Sequence, residues 1–458
     1  MMTISGGRDG AEENSTPAAT ASTALLTDHY ELTMLQAALR SGAAHRRSVF
    51  EVFARRLPDG RRYGVVAGTG RLLDAIAAFR FGDEQLAFLD RTGVVDRATL
   101  DWLAGYRFRG TVRGYAEGES YFPQSPILTV EGTFAEAVLL ETLILSVLNH
   151  DSAIAAAASR MTSAAAGRPC IEMGSRRTHE EAAVASARAA YLAGFASTSN
   201  LAAGFRYGVP TVGTSAHAFT LVHDTEREAF QTQVATLGKG TTLLVDTFDV
   251  AEAVRVAVEV AGPDLGAVRL DSGDLLWMAH RVRKQLDELG ARNTKIVVTS
   301  DLDEYAIAAL AVAPVDSYGV GTQLVTGSGA PTASMVYKLV ARAESGQSGS
   351  GQPDGVLVPV AKRSPDKPSQ GGRKYAYRRI DGDGVATAEV VGIGEPPADL
   401  ADRGRNLVKT LMVDGELVDR ATLEEGRELH RRSLAELPIS ATQLSRGDAV
   451  IPTVYENA

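Results

Sequence analysis

Five places along this chain carry side chains whose types and spacing could do chemistry. In Arg269-Leu270-Asp271-Ser272-Gly273-Asp274 an arginine and two carboxylates stand at the end of a β-prone run that opens a helix. Asp271 and Asp274 offer hard oxygens for Mg2+ or for sugar hydroxyls, and Ser272 with Gly273 lets a ligand approach the backbone. The same string also fits a strand–turn–helix junction with Asp274 as N-cap. The run Val212-Gly213-Thr214-Ser215-Ala216-His217 sets a backbone N–H, a hydroxyl and an imidazole just past another strand end. A lone histidine is more often structural than catalytic, so local sequence leaves His217 open. Gly319-Val320-Gly321-Thr322 reads as a short glycine loop that either holds phosphate through its N–H groups or simply turns the chain. Arg176 and Arg177 follow Gly174 and could grip a carboxylate or phosphate, or lie exposed. Thr27 to Met34 reads first as a helix start with Thr27 or Asp28 as cap and Tyr30 packing. No HExxH or CxxC spacing is present, which argues against a zinc site, and no GxxxxGK[ST] string argues for a P-loop.

Such groups need elements to carry them. Short β-prone runs recur at 170–174, 194–198, 210–214, 242–246, 267–271, 296–300 and 317–321, most leading into a helical stretch such as 250–261 or 275–289. Strands alternating with helices at this spacing imply a parallel sheet with crossover helices. Seven or eight units predict a closed or irregular α/β barrel, whose C-terminal strand ends collect an active site. Those ends carry Arg176, Ser199, Thr214, His217, Asp246, Arg269, Asp271, Asp274, Asp301 and Thr322. Upstream, a helix is expected over 31–40, a strand over 48–54, a turn at 58–60 and a helix over 72–79. The apolar stretch 135–148 is too short for a membrane span and reads as a buried helix. Downstream come a flexible loop at 344–355, a basic Gly/Pro/Ser stretch at 362–374, a hairpin over 412–418 around Asp414–Gly415, and a helix over 421–437.

Composition narrows the partners. The 458 residues are 45% apolar and 22% charged with a formal net charge of −9, and no basic stripe is interleaved with aromatics. That excludes an extended nucleic-acid footprint. Cys170 is the single cysteine, so no intrachain disulfide forms, and residues 1–23 lack the apolar centre of a secretory signal. A cytoplasmic protein without a membrane partner is expected.

Taken in order, LLTDHYELTM (25–34), FEVFARRLP (50–58), EMGSRRTHEEAA (172–183), STSNLAAG (197–204), VGTSAHAF (212–219), LVDTFDV (244–250), RLDSGDL (269–275), TSDLDEY (299–305) and SYGVGTQLVT (317–326) resemble the nicotinate phosphoribosyltransferase family. The resemblance implies an irregular α/β barrel of the type II phosphoribosyltransferase kind, with an N-terminal α/β domain completed by C-terminal residues. The expected layout is a disordered tail (1–23), the N-terminal domain (24–130), the barrel (131–345), a flexible region (346–374) and a rejoining C-terminal segment (375–458). It further implies formation of nicotinate mononucleotide from nicotinate and phosphoribosyl pyrophosphate, with ATP as co-substrate and Mg2+ as cofactor. Thr214, Arg269 and Arg176 then face nicotinate, and Gly319, Gly321 and Thr322 face phosphate. Asp246, Asp271 and Asp301 surround the ribose and Mg2+, with Asp274 a further Mg2+ candidate. His217 matches a histidine that ATP phosphorylates. Tyr30 would complete the pocket of a second subunit in a homodimer. Nicotinamide phosphoribosyltransferases are similar but carry an aspartate where Ser199 stands, and a neutral hydroxyl there suits an acid substrate. Quinolinate phosphoribosyltransferase is the other alternative, and would have no use for His217.

Overall fold

The computed structural model describes residues 21–344, 356–362, 370–400 and 404–456. Most of the expected N-terminal tail, nearly all of the 344–355 loop and the middle of the 362–374 stretch lie outside the described residues.

The parallel strands expected from the β-prone runs form one sheet. Its order is Ser197–Thr198, Cys170–Glu172, Ser317–Val320, Lys295–Ser300, Ala267–Leu270 and Thr242–Leu244, every pair parallel. The local cause is plain in Lys295–Ser300, where Ile296, Val297 and Val298 are buried and Thr299 ends the run beside the mouth. Parallel strands buried on both faces read as continuous apolar runs of this kind. Val250–Ala261 is helical because Asp249 caps it, accepting from the Glu252 N–H at 2.8 Å, while Ala253, Val254, Ala257 and Ala261 pack inward.

The run expected at 210–214 does not form a strand. It is reduced to a single parallel bridge from Thr211 to Thr198, held by Thr198 N–H to the Pro210 carbonyl and Val212 N–H to the Thr198 carbonyl, both 2.9 Å. Residues 211–214 are exposed and meet no further strand on their outer side, so pairing stops there. Placed with that bridge, the strands follow sequence order around a ring, and among the described residues the ring stays unpaired only between Thr211 and Thr242. The barrel is therefore irregular, with one open seam, rather than closed. Leu243, Val268, Leu270, Ile296, Val298, Tyr318 and Val320 fill its core.

The apolar stretch around 135–148 belongs to Phe134–Val138 and Glu141–Ala164. Together these helices reach a length and composition that would cross a membrane, longer than the sequence suggests, but they lie mostly buried between the two sheets' cores. Burial of an apolar helix in protein is the ordinary alternative to burial in lipid.

The second body is a seven-stranded antiparallel sheet: Leu357–Pro359, Met335–Ala343, Arg47–Ala54, Leu128–Thr133, Thr111–Tyr115, Val408–Val413 and Glu416–Leu417. Strands from beyond the barrel thus flank strands that precede it. The last two strands are the expected hairpin, and its turn has Asp414 at φ 52° and Gly415 at φ 79°. Two successive positive φ angles make the tight hairpin turn whose twist matches the strands. A four-stranded sheet of Lys374–Ile380, Ala386–Ile393, Arg405–Asn406 and Thr453–Glu456 was not anticipated from the sequence.

Buried ion pairs tie these bodies together. Arg188 Nη2 reaches Glu117 at 2.7 Å, Arg71 holds Asp151 at 2.7 and 2.9 Å, and Glu304 takes both Arg61 at 2.7 Å and Arg160 at 3.0 Å.

Candidate active site at the barrel mouth

The C-terminal ends of the barrel strands bring His217, Asp246, Arg269, Asp271 and Thr214 together. His217 starts a one-turn helix at the seam, His217–Leu221, and its Nδ1 lies 3.2 Å from the Thr247 hydroxyl on the far side. Its Nε2 faces two carboxylates, Asp246 Oδ1 and Asp271 Oδ2, each at 3.9 Å. Asp246 is itself anchored: Oδ2 accepts from the Asp271 N–H at 2.9 Å and from the Ser272 hydroxyl at 2.7 Å. Its other oxygen, Oδ1, is buried without a hydrogen-bond partner and is the atom turned toward the imidazole. Leaving a carboxylate oxygen buried and unpaired is costly, and such atoms in native proteins call for a ligand or a role in reaction. Asp271 is oriented from behind by the Thr299 hydroxyl, which donates to Oδ1.

Arg269 leaves the next strand edge and donates from Nη1 to the Thr214 hydroxyl at 3.2 Å. Its Nε is buried without a partner, and no carboxylate forms an ion pair with it among the described residues. Burial pulls its guanidinium below the usual arginine value and the charge of Arg176 adds to that, whereas Asp271 and Asp246 pull the other way. A desolvated cation with open donor valences favours an incoming anion.

Asp301 and Thr322 also meet, the threonine hydroxyl donating to Oδ1 at 3.2 Å. Gly319 lies inside Ser317–Val320, as the β-prone run at 317–321 predicts, and not in the glycine loop read over 319–322. A Cβ there would come within 2.4 Å of Thr299 Cγ2 and 2.8 Å of Met173 Sδ, so close packing demands the glycine. Only Gly321 and Thr322 belong to the turn beyond the strand. Asp274 turned out to cap the following helix, accepting from the Trp277 N–H at 3.1 Å, so one of its oxygens is already engaged. Arg176 and Ser199 are exposed in the turns after Cys170–Glu172 and Ser197–Thr198. Those two turns are joined below by buried Glu172, which accepts from the Gly174 N–H and the Thr198 hydroxyl. Burial raises the Glu172 carboxyl above its usual value, against these two hydrogen bonds.

Tyr30 stands apart. It sits near the start of the helix His29–Ser41, 48% exposed, beside Glu141, Glu31, Asp28 and Thr142. Burial of its hydroxyl and those carboxylates push it up to about 12. None of its hydrogen bonds or ring contacts among the described residues reaches the mouth.

Sequence reading passed over Thr247, Thr299, Ser272 as a partner of Asp246, and Glu172. For Thr299 and Glu172 strand alternation was a usable signal, because both sit at strand ends next to singled-out residues. Nothing one-dimensional points from Thr247 to His217, which lies thirty positions away across the seam. Among the described residues no group of three or more His, Cys, Asp or Glu is disposed to hold a metal by itself.

Residues 25–149 match the family described as nicotinate phosphoribosyltransferase (NAPRTase) N-terminal domain. A nicotinate phosphoribosyltransferase of Mycobacterium tuberculosis is 56% identical over 455 residues, covering 97% of each chain. The Homo sapiens nicotinate phosphoribosyltransferase is 30% identical over 454 residues, covering 84% of this chain and 82% of its own. The crystal structure of human nicotinic acid phosphoribosyltransferase superposes with a TM-score of 0.78 at 27% identity, covering 94% of this chain and 98% of that one.

Proposed function

The chain belongs to the nicotinate phosphoribosyltransferase family, and from that premise we propose how its barrel mouth divides the work of making nicotinate mononucleotide and pyrophosphate from nicotinate and phosphoribosyl pyrophosphate. The observation that carries the reading is Arg269: a half-buried guanidinium, braced by Thr214, whose Nε is buried without a partner and which forms no ion pair among the described residues. The nicotinate carboxylate supplies what it lacks, through charge-assisted hydrogen bonds. Arg176 adds positive potential, and Ser199 offers a hydroxyl where a carboxylate would repel an acid. Quinolinate would bring a second carboxylate toward Asp246 and Asp271, which disfavours it.

Attack by the pyridine nitrogen on the ribose carbon expels pyrophosphate and builds positive charge on the sugar. Asp246, Asp271 and Asp301 stabilise that charge and hold ribose hydroxyls, while Gly321 and Thr322 hold the 5′-phosphate by N–H and hydroxyl groups. Asp246 Oδ1, buried and unpartnered, and Asp271 Oδ2 are hard oxygens that fit Mg2+, with Asp274 a weaker candidate because of its cap. When bound, Mg2+ neutralises charge on the leaving pyrophosphate, and one or two carboxylates plus substrate oxygens suffice to hold it.

ATP enters as co-substrate at His217. With Nδ1 engaged by Thr247, Nε2 is the ring nitrogen turned into the site. It takes the γ-phosphoryl group, ADP leaves, and later attack by water returns the imidazole and phosphate. The phosphorylated ring carries negative charge between Asp246 and Asp271, which recruits Mg2+ and tightens substrate binding.

A homodimer completes the site. Leu25, Leu26 and Tyr30 are exposed at and just before the start of the helix His29–Ser41, and Leu201, Phe205, Leu221 and Val222 are exposed on or next to the helices Leu201–Tyr207 and His217–Leu221, Phe205 at 92%. Exposed apolar side chains at both places fit a two-fold assembly in which each region covers the other, bringing Tyr30 of one subunit onto the pyridine site of its partner. The buried lone Cys170 fits a reducing cytoplasm.

Product formation from nicotinate and from nicotinamide, with and without ATP, tests the assignment in wild type and Arg269→Ala. Wild type should favour nicotinate and respond to ATP. The variant should lose roughly one to two decades of affinity for nicotinate and little for nicotinamide, since a hydrogen bond to a charged group contributes about 1.5–3 kcal/mol. Equal losses for both ligands would assign Arg269 to phosphate or to the fold. Shared sites are tested by mixing Tyr30→Ala with Arg269→Ala chains. About half the dimers are mixed and each then has one intact site, so activity should exceed both parents. Activity no higher than the parents' average, with mixed dimers verified by mass, would place Tyr30 in its own chain's site.

A further inference from the structure

Arg176 and Ser199 stand exposed on two separate turns, and the residues beside them are tied to each other across the gap. Ser175 and Arg176 are the central pair of the turn Gly174–Arg177, which the Arg177 N–H closes on the Gly174 carbonyl at 2.8 Å. Ser199 lies between Thr198, fully buried at the end of its strand, and Asn200, the N-cap of the helix Leu201–Tyr207. On the buried side, Glu172 accepts from the Gly174 N–H with one carboxyl oxygen and from the Thr198 hydroxyl with the other. Its main-chain carbonyl also accepts from the Ser199 N–H at 2.8 Å. The Thr198 oxygen accepts in turn from the Asn200 N–H at 2.9 Å. Nearer solvent, the Asn200 side-chain amide donates to the Ser175 hydroxyl at 3.0 Å. The bonds thus run from Gly174 through Glu172, Thr198 and Asn200 to Ser175, and they close a ring because Ser175 follows Gly174 in the chain.

We propose that Ser175, Asn200 and Glu172 are positioning residues that hold Arg176 and Ser199 at the spacing one carboxylate requires, and so set the preference for nicotinate over nicotinamide. The inference rests on Arg176 and Ser199 facing nicotinate, and it adds what fixes the distance between them. The residue types in the ring follow from that demand. Asn200 caps its helix with Oδ1, which accepts from the Ala203 N–H at 2.9 Å, and Asp or Ser would cap as well. Only asparagine caps with its oxygen and keeps an amide N–H to give to Ser175. Glu172 meets two donors at once, and a carboxylate accepts at both ends where an amide accepts at one. Burying that carboxyl is costly and raises it above its usual value, so packing alone does not explain its place. A fully bonded buried network is rigid, and an arginine whose base is held loses less freedom when it binds an anion.

The test measures KM for nicotinate and for phosphoribosyl pyrophosphate, and the inhibition constant of nicotinamide, in variants of the ring and of Arg176. Loss of one neutral hydrogen bond in Ser175→Ala should raise KM for nicotinate roughly threefold to tenfold. Asn200→Ser keeps a capping residue but is too short to reach Ser175, so it should show the same rise with a melting temperature near wild type. Glu172→Gln, with one acceptor for two donors, should raise KM for nicotinate at least as far. Ser175→Thr keeps the hydroxyl and should stay near wild type. KM for phosphoribosyl pyrophosphate and the nicotinamide constant should hold steady in the Ser175 and Asn200 variants. Because Ser175 acts through Arg176, most of its effect should vanish when Ser175→Ala is made in an Arg176→Ala background. An unchanged KM for nicotinate in both Ser175→Ala and Asn200→Ser overturns the proposal. So does an equal rise for phosphoribosyl pyrophosphate, the mark of a loosened fold, or full additivity with Arg176→Ala. If Arg176→Ala itself leaves KM for nicotinate unchanged, Arg176 does not face the acid, and the reading beneath falls together with the ring. Failure of the ring alone looks different: Arg176→Ala weakens nicotinate while Ser175→Ala and Asn200→Ser do not.

Discussion

Glu304 and Asp246 are both carboxylates just past barrel strands, each with a side chain only 2% exposed. Glu304 takes Arg61 and Arg160 on one oxygen and the Ser328 hydroxyl on the other at 2.6 Å. Asp246 keeps one oxygen without any hydrogen-bond partner. The same contrast separates their surroundings. At the joint between barrel and antiparallel sheet, Glu117 meets Arg188 and Asp151 meets Arg71, so the buried charges there are matched. At the mouth, Asp246 Oδ1 and Arg269 Nε are buried and unmatched. Saturated charge fixes the relation of two bodies; unsaturated charge is held in readiness for a ligand. The two kinds of site are also mechanically linked, because Glu304 begins the helix three residues after Asp301.

The largest effect should come from the saturated side. Glu304→Ala strands Arg61 and Arg160 in the interior, and removing one partner of a buried ion pair costs about 3–5 kcal/mol. Equilibrium unfolding in urea measures it. A loss under about 1 kcal/mol, the range of a surface pair, would mean that the joint is not a clamp.

Asp246→Asn should behave in the opposite way. The amide oxygen can still accept from Asp271 N–H and Ser272, so the fold keeps its bonds, while the unmatched charge disappears. Stability should stay level or rise, and turnover should fall by about two to three decades, as when one charge-stabilising group is removed from a transition state. A variant that loses stability and keeps turnover would erase the distinction between the two regions.

How far the sequence reached follows the same division. The alternation of strands and helices after residue 169 is written in local pattern, and the helix Val250–Ala261 has its expected bounds. The strand-end list also converged at His217, Asp246, Arg269 and Asp271, because strand ends gather wherever a parallel sheet curls. What failed was long-range or steric. Pro210–Val212 could not be known to lack an outer neighbour, since pairing depends on a strand that never arrives. Gly319 is open to both a strand and a loop reading, because the methyl of Thr299 that requires it lies on another strand. The four-stranded sheet joins Ala386–Ile393 to Thr453–Glu456, sixty residues apart in sequence, and no local signal encodes that pairing.

Glu226 gives the smallest and most pH-specific test, because it is an unmatched group that lies outside the reacting cluster. It begins the helix Glu226–Leu237, which packs on both the His217 helix and Val250–Ala261. Its Oε1 is buried without a partner. Burial, then the charges of Glu252 and Asp249, push its carboxyl up to about 7 from the usual 4.5. The folded chain therefore binds this proton more tightly than the unfolded chain. Below about pH 4.5 both states are protonated and Glu226 costs nothing. As pH rises from there to about 7 the unfolded chain ionises first, so stability falls through that window and then levels off. Glu226→Gln removes the titration while keeping the shape. Its melting temperature should match wild type near pH 4.5 and exceed it above pH 7, by a small margin because the side chain is only half-buried and solvent screens it. A difference that does not change with pH would mean that Glu226 meets a partner in solution, and that helix would then belong with the matched charges of the joint.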